Sequence, residues 1–369
     1  MLGFELGSNG WTWNPQYLMG STAFAFALCF GCIYLILRSC PSGSQTMLSP
    51  RSAVKQSEYE DMVNGFLGDI SFRPPDLSCD PELERRVKQR LRVHGVPPAL
   101  IERIQGCIDA AVSVTTFTYP FTSPSCQEAI ALYSAYTIGI DDLAPEMLKE
   151  VGGYTMQLTL GQPHQHPLLR GLTSFLGEQS AIFGPFGGDM IVKGTLESVS
   201  SVKLETTSDQ TMDLPRAAST FLHYFRMKTG FAEAYALFCF PEDAHPEETE
   251  LVRYISSVPN IMTFLCSAND LLSFYKEETN AKEADGYVKH HAKLHRQSTI
   301  RSLRQVTKDT VQVVQNLRAS FAPDEPLGRH MEQLIQGYIM YHLSSPRYKL
   351  ASLRIPAAME VAAREQRVR

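Results

Sequence analysis

The sequence contains no G-x-x-x-x-G-K-[ST] segment and no H-E-x-x-H pair. Their absence removes the P-loop phosphate cradle and the common zinc-hydrolase helix from consideration. Excess positive charge is also missing: the formal net charge is −5, which leaves no electrostatic footprint for nucleic acid. The eight cysteines show neither zinc-finger nor disulfide-framework spacing. The C-x-x-C of Cys29 and Cys32 sits inside an apolar run with no βαβ pattern around it, so no redox motif is read there. Reduced thiols and a cytosolic catalytic domain are the default for such usage. No internal repeat, no low-complexity block and no alternating strand pattern of useful length is present.

What is present is a chain of 369 residues, 44% hydrophobic and 20% charged, enough for a large buried core. The N-terminus stands apart. Tyr17 to Leu37 carries no charge over 21 residues, which as a helix spans roughly 30 Å, one bilayer core. Trp11, Trp13 and Tyr17 are placed to anchor one interface, and Arg38, Arg51 and Lys55 follow the run. Residues 1–40 are therefore expected to hold one transmembrane helix over about 17–37, with the catalytic domain facing the cytosol; a cleaved signal fits less well. Residues 41–55 are small and polar and read as a linker.

Residues 56–369 read as one all-α domain. Asp80-Pro81-Glu82 opens a helix that ends at Gly95, and Pro97-Pro98 opens a second through Ile101, Ile104, Ile108 and Val112. Ser123-Pro124-Ser125 starts a third that runs to Ile140. Further helices are expected over Leu168 to Phe183, Gly188 to Lys203, Pro215 to Phe240, Glu247 to Glu278, Ser298 to Phe321 and Gly328 to Leu343. Helices this apolar imply a bundle around a buried interior.

Within it lies Asn269-Asp270-Leu271-Leu272-Ser273-Phe274-Tyr275-Lys276-Glu277. On a helix, Asn269, Ser273 and Glu277 share one face. An amide, a hydroxyl and a carboxylate present three hard oxygens, a set suited to Mg²⁺ completed by phosphate oxygens and water. Lys276 beside them is a candidate anion contact. A solvated polar face is the bland alternative, but the apolar flanks argue for an interior cavity.

Asp141-Asp142 closes an apolar helix just before Ala144-Pro145-Glu146. Two carboxylates at a helix C-terminus oppose its dipole unless a cation sits there; an exposed turn is the alternative. Arg226, within an apolar helix, suits either a buried anion or a structural salt bridge, and Gly230 is a helix break that can free carbonyls toward a cavity. Arg347 and Tyr348 follow Ser344-Ser345-Pro346, placed either to swing over a cavity mouth or to cap the last helix. His290-His291, in the basic run Lys289 to Arg296, reads as a solvated face.

Taken in order, these motifs resemble class I terpene cyclases and, in detail, the fungal trichodiene synthase family. The segments N-D-L-L-S-F-Y-K-E and G-Y-I-M-Y-H-L-S-S-P-R-Y carry the closest likeness, and the 43-residue interval from Arg226 to Asn269 also fits. The resemblance covers roughly residues 60–355. It implies a helix bundle with a central cavity. It also implies an enzyme of secondary metabolism that ionises farnesyl diphosphate and cyclises the cation. Asp141 and Asp142 would ligate Mg²⁺ on one side, Asn269, Ser273 and Glu277 on the other, with three ions around the diphosphate. Arg226, Lys276, Arg347 and Tyr348 would contact that diphosphate, and a homodimer is a candidate assembly. Two positions depart from the family pattern: Pro145 stands where a third acid is usual, with Glu146 one later, and Thr229 stands where Asp or Asn is frequent. The alternatives are a chain-elongating prenyltransferase, which normally needs a second aspartate-rich motif, and a membrane-anchored helical protein without catalysis.

Overall fold

The computed structural model describes residues 4–7, 10–13, 54–208, 214–280 and 286–368. The chain divides into two units, Met1–Arg51 and Ser52–Arg369. In the first, β1 (Phe4–Gly7) pairs antiparallel with β2 (Gly10–Trp13), Phe4 opposite Trp13 and Gly7 opposite Gly10. Its strands are four residues each, too few to establish a period of two in the sequence. Trp11 and Trp13 lie on β2. The expected transmembrane stretch, Tyr17 to Leu37, lies outside the described residues, and among those described no helix is long and apolar enough to cross a membrane.

The second unit is helical. It begins with α1 (Gln56–Asp69), α2 (Pro81–Val93), α3 (Pro98–Arg103) and α4 (Gln105–Thr118). Next come α5 (Pro124–Leu143), α6 (Leu148–Thr159), α7 (Pro167–Leu176) and α8 (Ser180–Ser208). After them stand α9 (Phe221–Thr229), α10 (Ala232–Leu237), α11 (Glu247–Tyr254), α12 (Val258–Leu272) and α13 (Phe274–Thr279). The last are α14 (Tyr287–His295), α15 (Thr299–Ala319), α16 (Pro326–Ser344) and α17 (Pro356–Val368).

Local chemistry explains these boundaries. Asp80 Oδ1 accepts the Glu82 N–H at 2.9 Å and caps α2, with Pro81 at its first position. Leu83, Val87 and Leu91, four apart on α2, are wholly buried. The expected break between Phe183 and Gly188 is real. Gly184 takes φ +75 ahead of Pro185, and Glu247 accepts the Phe186 and Gly187 N–H groups that the kink frees, at 2.9 and 2.5 Å. A Cβ at position 184 would lie 2.5 Å from the Glu247 carboxyl carbon, so only glycine fits.

Four expected helices are interrupted: the one opened by Pro97-Pro98 divides into α3 and α4, Leu168 to Phe183 divides into α7 and the start of α8, and two more divide as follows. Pro215 to Phe240 divides into a 3₁₀ turn, α9 and α10, because Gly230 ends α9 and Phe231 adopts φ +51. Glu247 to Glu278 divides into α11, a 3₁₀ turn, α12 and α13. Helices α1, α6, α14 and α17 have no counterpart among the expected ones.

The core forms where α5 packs on α2 and α4, and α12 on α10 and α15, with α16 against α4. Tyr133 of α5 centres it, meeting the rings of Phe238, Tyr235 and Phe231 edge-on at 5.0, 5.8 and 6.3 Å. Edge-to-face contacts of this kind fix orientation as well as burying area. They hold α10, and the helix break before it, against the helix that carries Asp141.

Candidate active site

A cavity of about 340 Å³ opens among α5, α9, α10, α12, α13, α14 and α16. Asp141, Arg226, Asn269, Ser273, Lys276, Glu277, Arg347 and Tyr348 all line it. Asp142, Glu146 and His291, also singled out in the sequence, are not among the lining residues.

The Asn269 wall keeps its shared face by an unexpected route. The helix does not run through: α12 stops at Leu272 and α13 starts at Phe274. The Ser273 N–H nonetheless donates to Asn269 O at 2.8 Å and the Glu277 N–H to Ser273 O at 3.1 Å, so the four-residue register survives the bend. Ser273 Oγ donates to Glu277 Oε1 at 2.5 Å. Burial pushes the Glu277 carboxyl above its ordinary range, and this hydrogen bond only partly offsets the effect. Gly286, at the start of α14, closes on the same carboxylate: a Cβ there would come within 2.1 Å of Glu277 Oε2.

Arg226 enters from α9. Its Nε donates to Asp270 Oδ1 at 2.8 Å and its Nη2 to Asn269 Oδ1 at 3.1 Å. Burial disfavours the guanidinium charge, but the Asp270 carboxylate more than compensates and holds Arg226 firmly protonated. Asp270 itself is raised by burial, with Arg226 pulling back only part of the shift. Gly230 makes this approach possible, since a Cβ would sit 2.8 Å from Arg226 Nη1. Of the two readings of Arg226, the salt bridge is present, and the residue also lines the cavity.

Asp141 is exposed at the cavity mouth, and its carboxylate has no hydrogen bond or ion pair among the described residues. The protein packed around it and the neighbouring Asp142 raise its carboxyl pKa, opposed by the charges of Arg347, Lys276 and Arg226. Asp142 is engaged elsewhere: Arg347 grips it with two hydrogen bonds, Nη2 to Oδ1 at 2.8 Å and Nη1 to Oδ2 at 3.2 Å. Burial works against its charge, yet the guanidinium holds its carboxyl below the usual range. Glu146, one position after Pro145, pairs with Arg103 on the surface and is not among the lining residues. His290 and His291 are half-buried, not a solvated face: His290 lines the cavity and His291 Nδ1 lies 3.0 Å from Ser302 Oγ.

The donor set suits a hard cation that arrives with other ligands. Amide, hydroxyl and carboxylate oxygens converge on one wall, and the Asp141 carboxylate, unpaired among the described residues, stands at the mouth. Among the described residues no three His, Cys, Asp or Glu side chains form a metal-binding cluster. An ion held here needs oxygens from a bound anion or water. Away from this rim the lining is apolar and aromatic: Phe225, Phe231, Tyr235 and Tyr338 stand with Leu222 and Leu265.

Three residues with a part in this geometry went unassigned in the sequence. Asp270, which anchors Arg226, lay inside the quoted motif; its signal was a carboxylate on an apolar helix. Gly286 gave no signal. His342, within the C-terminal segment, is fully buried, and its Nε2 lies 3.2 Å from Asn269 Nδ2. Burial pushes its pKa down to about 4, so it is neutral at ordinary pH.

This helical fold is that of solved terpene synthases. Linalool/nerolidol synthase from Streptomyces clavuligerus, in complex with 2-fluorogeranyl diphosphate, superposes with a TM-score of 0.53 at 12% identity, covering 74% of this chain and 98% of that one. The trichodiene synthase family model matches residues 86–362. The (E)-beta farnesene synthase of Metarhizium brunneum is 34% identical over 307 residues, 83% of this chain and 93% of that protein. Terpene synthase BipA of Cochliobolus sativus is 29% identical over 289 residues, 77% and 87% of the two chains. Monoterpene synthase 25 of Postia placenta is 26% identical over 293 residues, 79% and 85%. The chain belongs to the trichodiene synthase family.

Proposed function

We propose that the protein is a Mg²⁺-dependent sesquiterpene synthase that ionises farnesyl diphosphate, cyclises the resulting cation and releases diphosphate. One observation carries this reading: a single cavity is lined by the Asn269–Ser273–Glu277 oxygens, by Asp141 and by three cationic side chains, above an aromatic floor. Asn269, Ser273 and Glu277 would hold Mg²⁺ on one side and Asp141 on the other. Bound there, the metal neutralises charge on the diphosphate and makes it a better leaving group.

The chain's own residues do the rest. Arg226, Lys276 and Arg347 face the same space and stabilise the negative charge that grows as the C–O bond breaks. Asp142 holds Arg347 ready by its two hydrogen bonds and is a positioning group rather than a ligand. Phe225, Phe231, Tyr235 and Tyr338 exclude water and offer π-faces to the carbocation. At about 340 Å³ the cavity is of a size for a small-molecule substrate.

Relatives named as a farnesene synthase and as a monoterpene synthase differ in the chain length their names imply, so substrate length is tested directly. The protein is incubated with Mg²⁺ and geranyl, farnesyl or geranylgeranyl diphosphate, and products are read by gas chromatography–mass spectrometry. Cyclic C15 hydrocarbons or alcohols from farnesyl diphosphate are expected. Turnover of geranyl diphosphate alone would overturn the sesquiterpene assignment, and elongated prenyl diphosphates would make the protein a prenyltransferase.

A further inference from the structure

A short chain of hydrogen bonds leads from the cavity into the core, and each donor and acceptor in it is determined. Arg226 Nη2 lies 3.1 Å from one end of the Asn269 amide. A guanidinium only donates, so that end is the carbonyl oxygen. The amide nitrogen at the other end lies 3.2 Å from His342 Nε2. An amide NH₂ also only donates, so Nε2 must accept and carries no hydrogen. His342 Nδ1, 2.8 Å from the Tyr338 carbonyl oxygen, is then the protonated nitrogen and donates to it. A protonated imidazole or the other tautomer would set two donors against each other at Asn269.

The ring has no freedom to turn away. His342 is wholly buried, with Tyr348, Tyr338 and Tyr341 packed on it at 4.4, 4.6 and 4.9 Å between centroids.

We infer that His342 is a positioning residue for the reaction: it holds the Asn269 amide so that Oδ1, not the NH₂ group, faces the cavity. This rests on the reading of Asn269 as a metal ligand. The two ends of an amide have nearly the same shape, so packing alone discriminates poorly between them. Only the oxygen end attracts a cation. Arg226 selects the same orientation, but it is also the group that turns to a bound diphosphate. His342 is the partner that stays.

The test uses the full-length protein with Mn²⁺ as the probe, bound in the presence of inorganic diphosphate and followed by electron paramagnetic resonance, with thermal melts in parallel. His342→Phe keeps a buried ring and removes the acceptor; it should weaken Mn²⁺ binding about 10- to 100-fold, as loss of an outer partner of a metal ligand does. His342→Gln supplies an oxygen acceptor in place of Nε2 and should restore most of the affinity. If the Phe ring does not fit and the protein fails to melt cooperatively, His342→Met carries the same arm. Wild-type affinity in a folded Phe or Met variant overturns the inference. So does a Gln variant that folds yet binds as weakly as Phe. Asn269→Ala separates the two levels: if it binds Mn²⁺ normally, the metal reading itself fails. If it binds weakly while His342→Phe binds normally, only the positioning role fails.

Discussion

Gly286→Ala should damage the site while leaving the fold intact. Gly286 has φ −69 and ψ 176, a conformation open to alanine, so the backbone has no reason to resist. Such a change at a compatible position is worth about 0.4–1 kcal/mol in favour of the folded state, through the unfolded chain. The added Cβ, however, lands 2.1 Å from Glu277 Oε2 and 3.0 Å from its Cδ. Carbon and oxygen at van der Waals contact stand well beyond 3 Å apart, so the carboxylate must retreat by about 1 Å. That movement also stretches the 2.5 Å bond from Ser273 Oγ to Glu277 Oε1. A displacement of this size at a reacting site costs on the order of 100-fold in rate. Three readouts together decide it: kcat/KM for diphosphate release from farnesyl diphosphate, Mn²⁺ affinity with inorganic diphosphate, and the melting temperature. The expectation is a loss of about two orders of magnitude in the first, weaker binding in the second, and a melting temperature unchanged or slightly raised. Full activity would refute the role given to Glu277. Lost activity with a collapsed melting temperature would refute the local explanation.

Asp270→Ala leaves the buried Arg226 guanidinium without its counter-charge and should cost about 3 kcal/mol in urea or thermal unfolding; Asp270→Asn, which keeps an acceptor, should cost less. Asp141 and Glu277 both have raised carboxyl pKa values. Because they bind a cation only when ionised, Mn²⁺ affinity titrated against pH should fall away at a higher pH than unperturbed carboxylates would give. In the metal-free protein the sign is opposite: a carboxyl whose folded pKa exceeds its unfolded one costs stability above that pKa, and the cost is relieved as pH falls through it. Melts at a series of pH values read that contribution. For the N-terminus, a fluorescent fusion of the whole chain should sediment with membranes if Tyr17 to Leu37 acts as an anchor; diffuse cytosolic fluorescence would remove that expectation.

Those parts of the molecule governed by local rules were legible in the sequence. Asp80-Pro81 predicts the start of α2 because a cap and a fixed φ act within a few residues. The break between Phe183 and Gly188 is visible because Gly184 and Pro185 supply it. Asn269, Ser273 and Glu277 share a face by helical register alone, and the register held although Ser273 interrupts the helix. What escaped depends on partners far along the chain. Asp142 resembles its neighbour Asp141 in every local respect; only Arg347, 205 residues away, separates a paired acid from an open one. Glu146 turns to Arg103 for the same kind of reason. His342 lay in a quoted segment and received no role, because its place beside Asn269 comes from α16 packing against α12, which no spacing within either helix encodes.

The central claim is that the Asp141 and Asn269 sides form one clamp, complete only when cation and diphosphate are both present. Thermal shift with Mg²⁺, inorganic diphosphate and the two together tests it most directly. Since no cluster of three acidic, His or Cys ligands exists among the described residues, neither component alone should move the melting temperature much. Together, at about 100 times their dissociation constant, they should stabilise the protein by about 2.7 kcal/mol, a rise of several degrees. The rise should vanish in both Asp141→Ala and Ser273→Ala. No shift with the pair, or an equal shift that survives in either variant, would contradict the account.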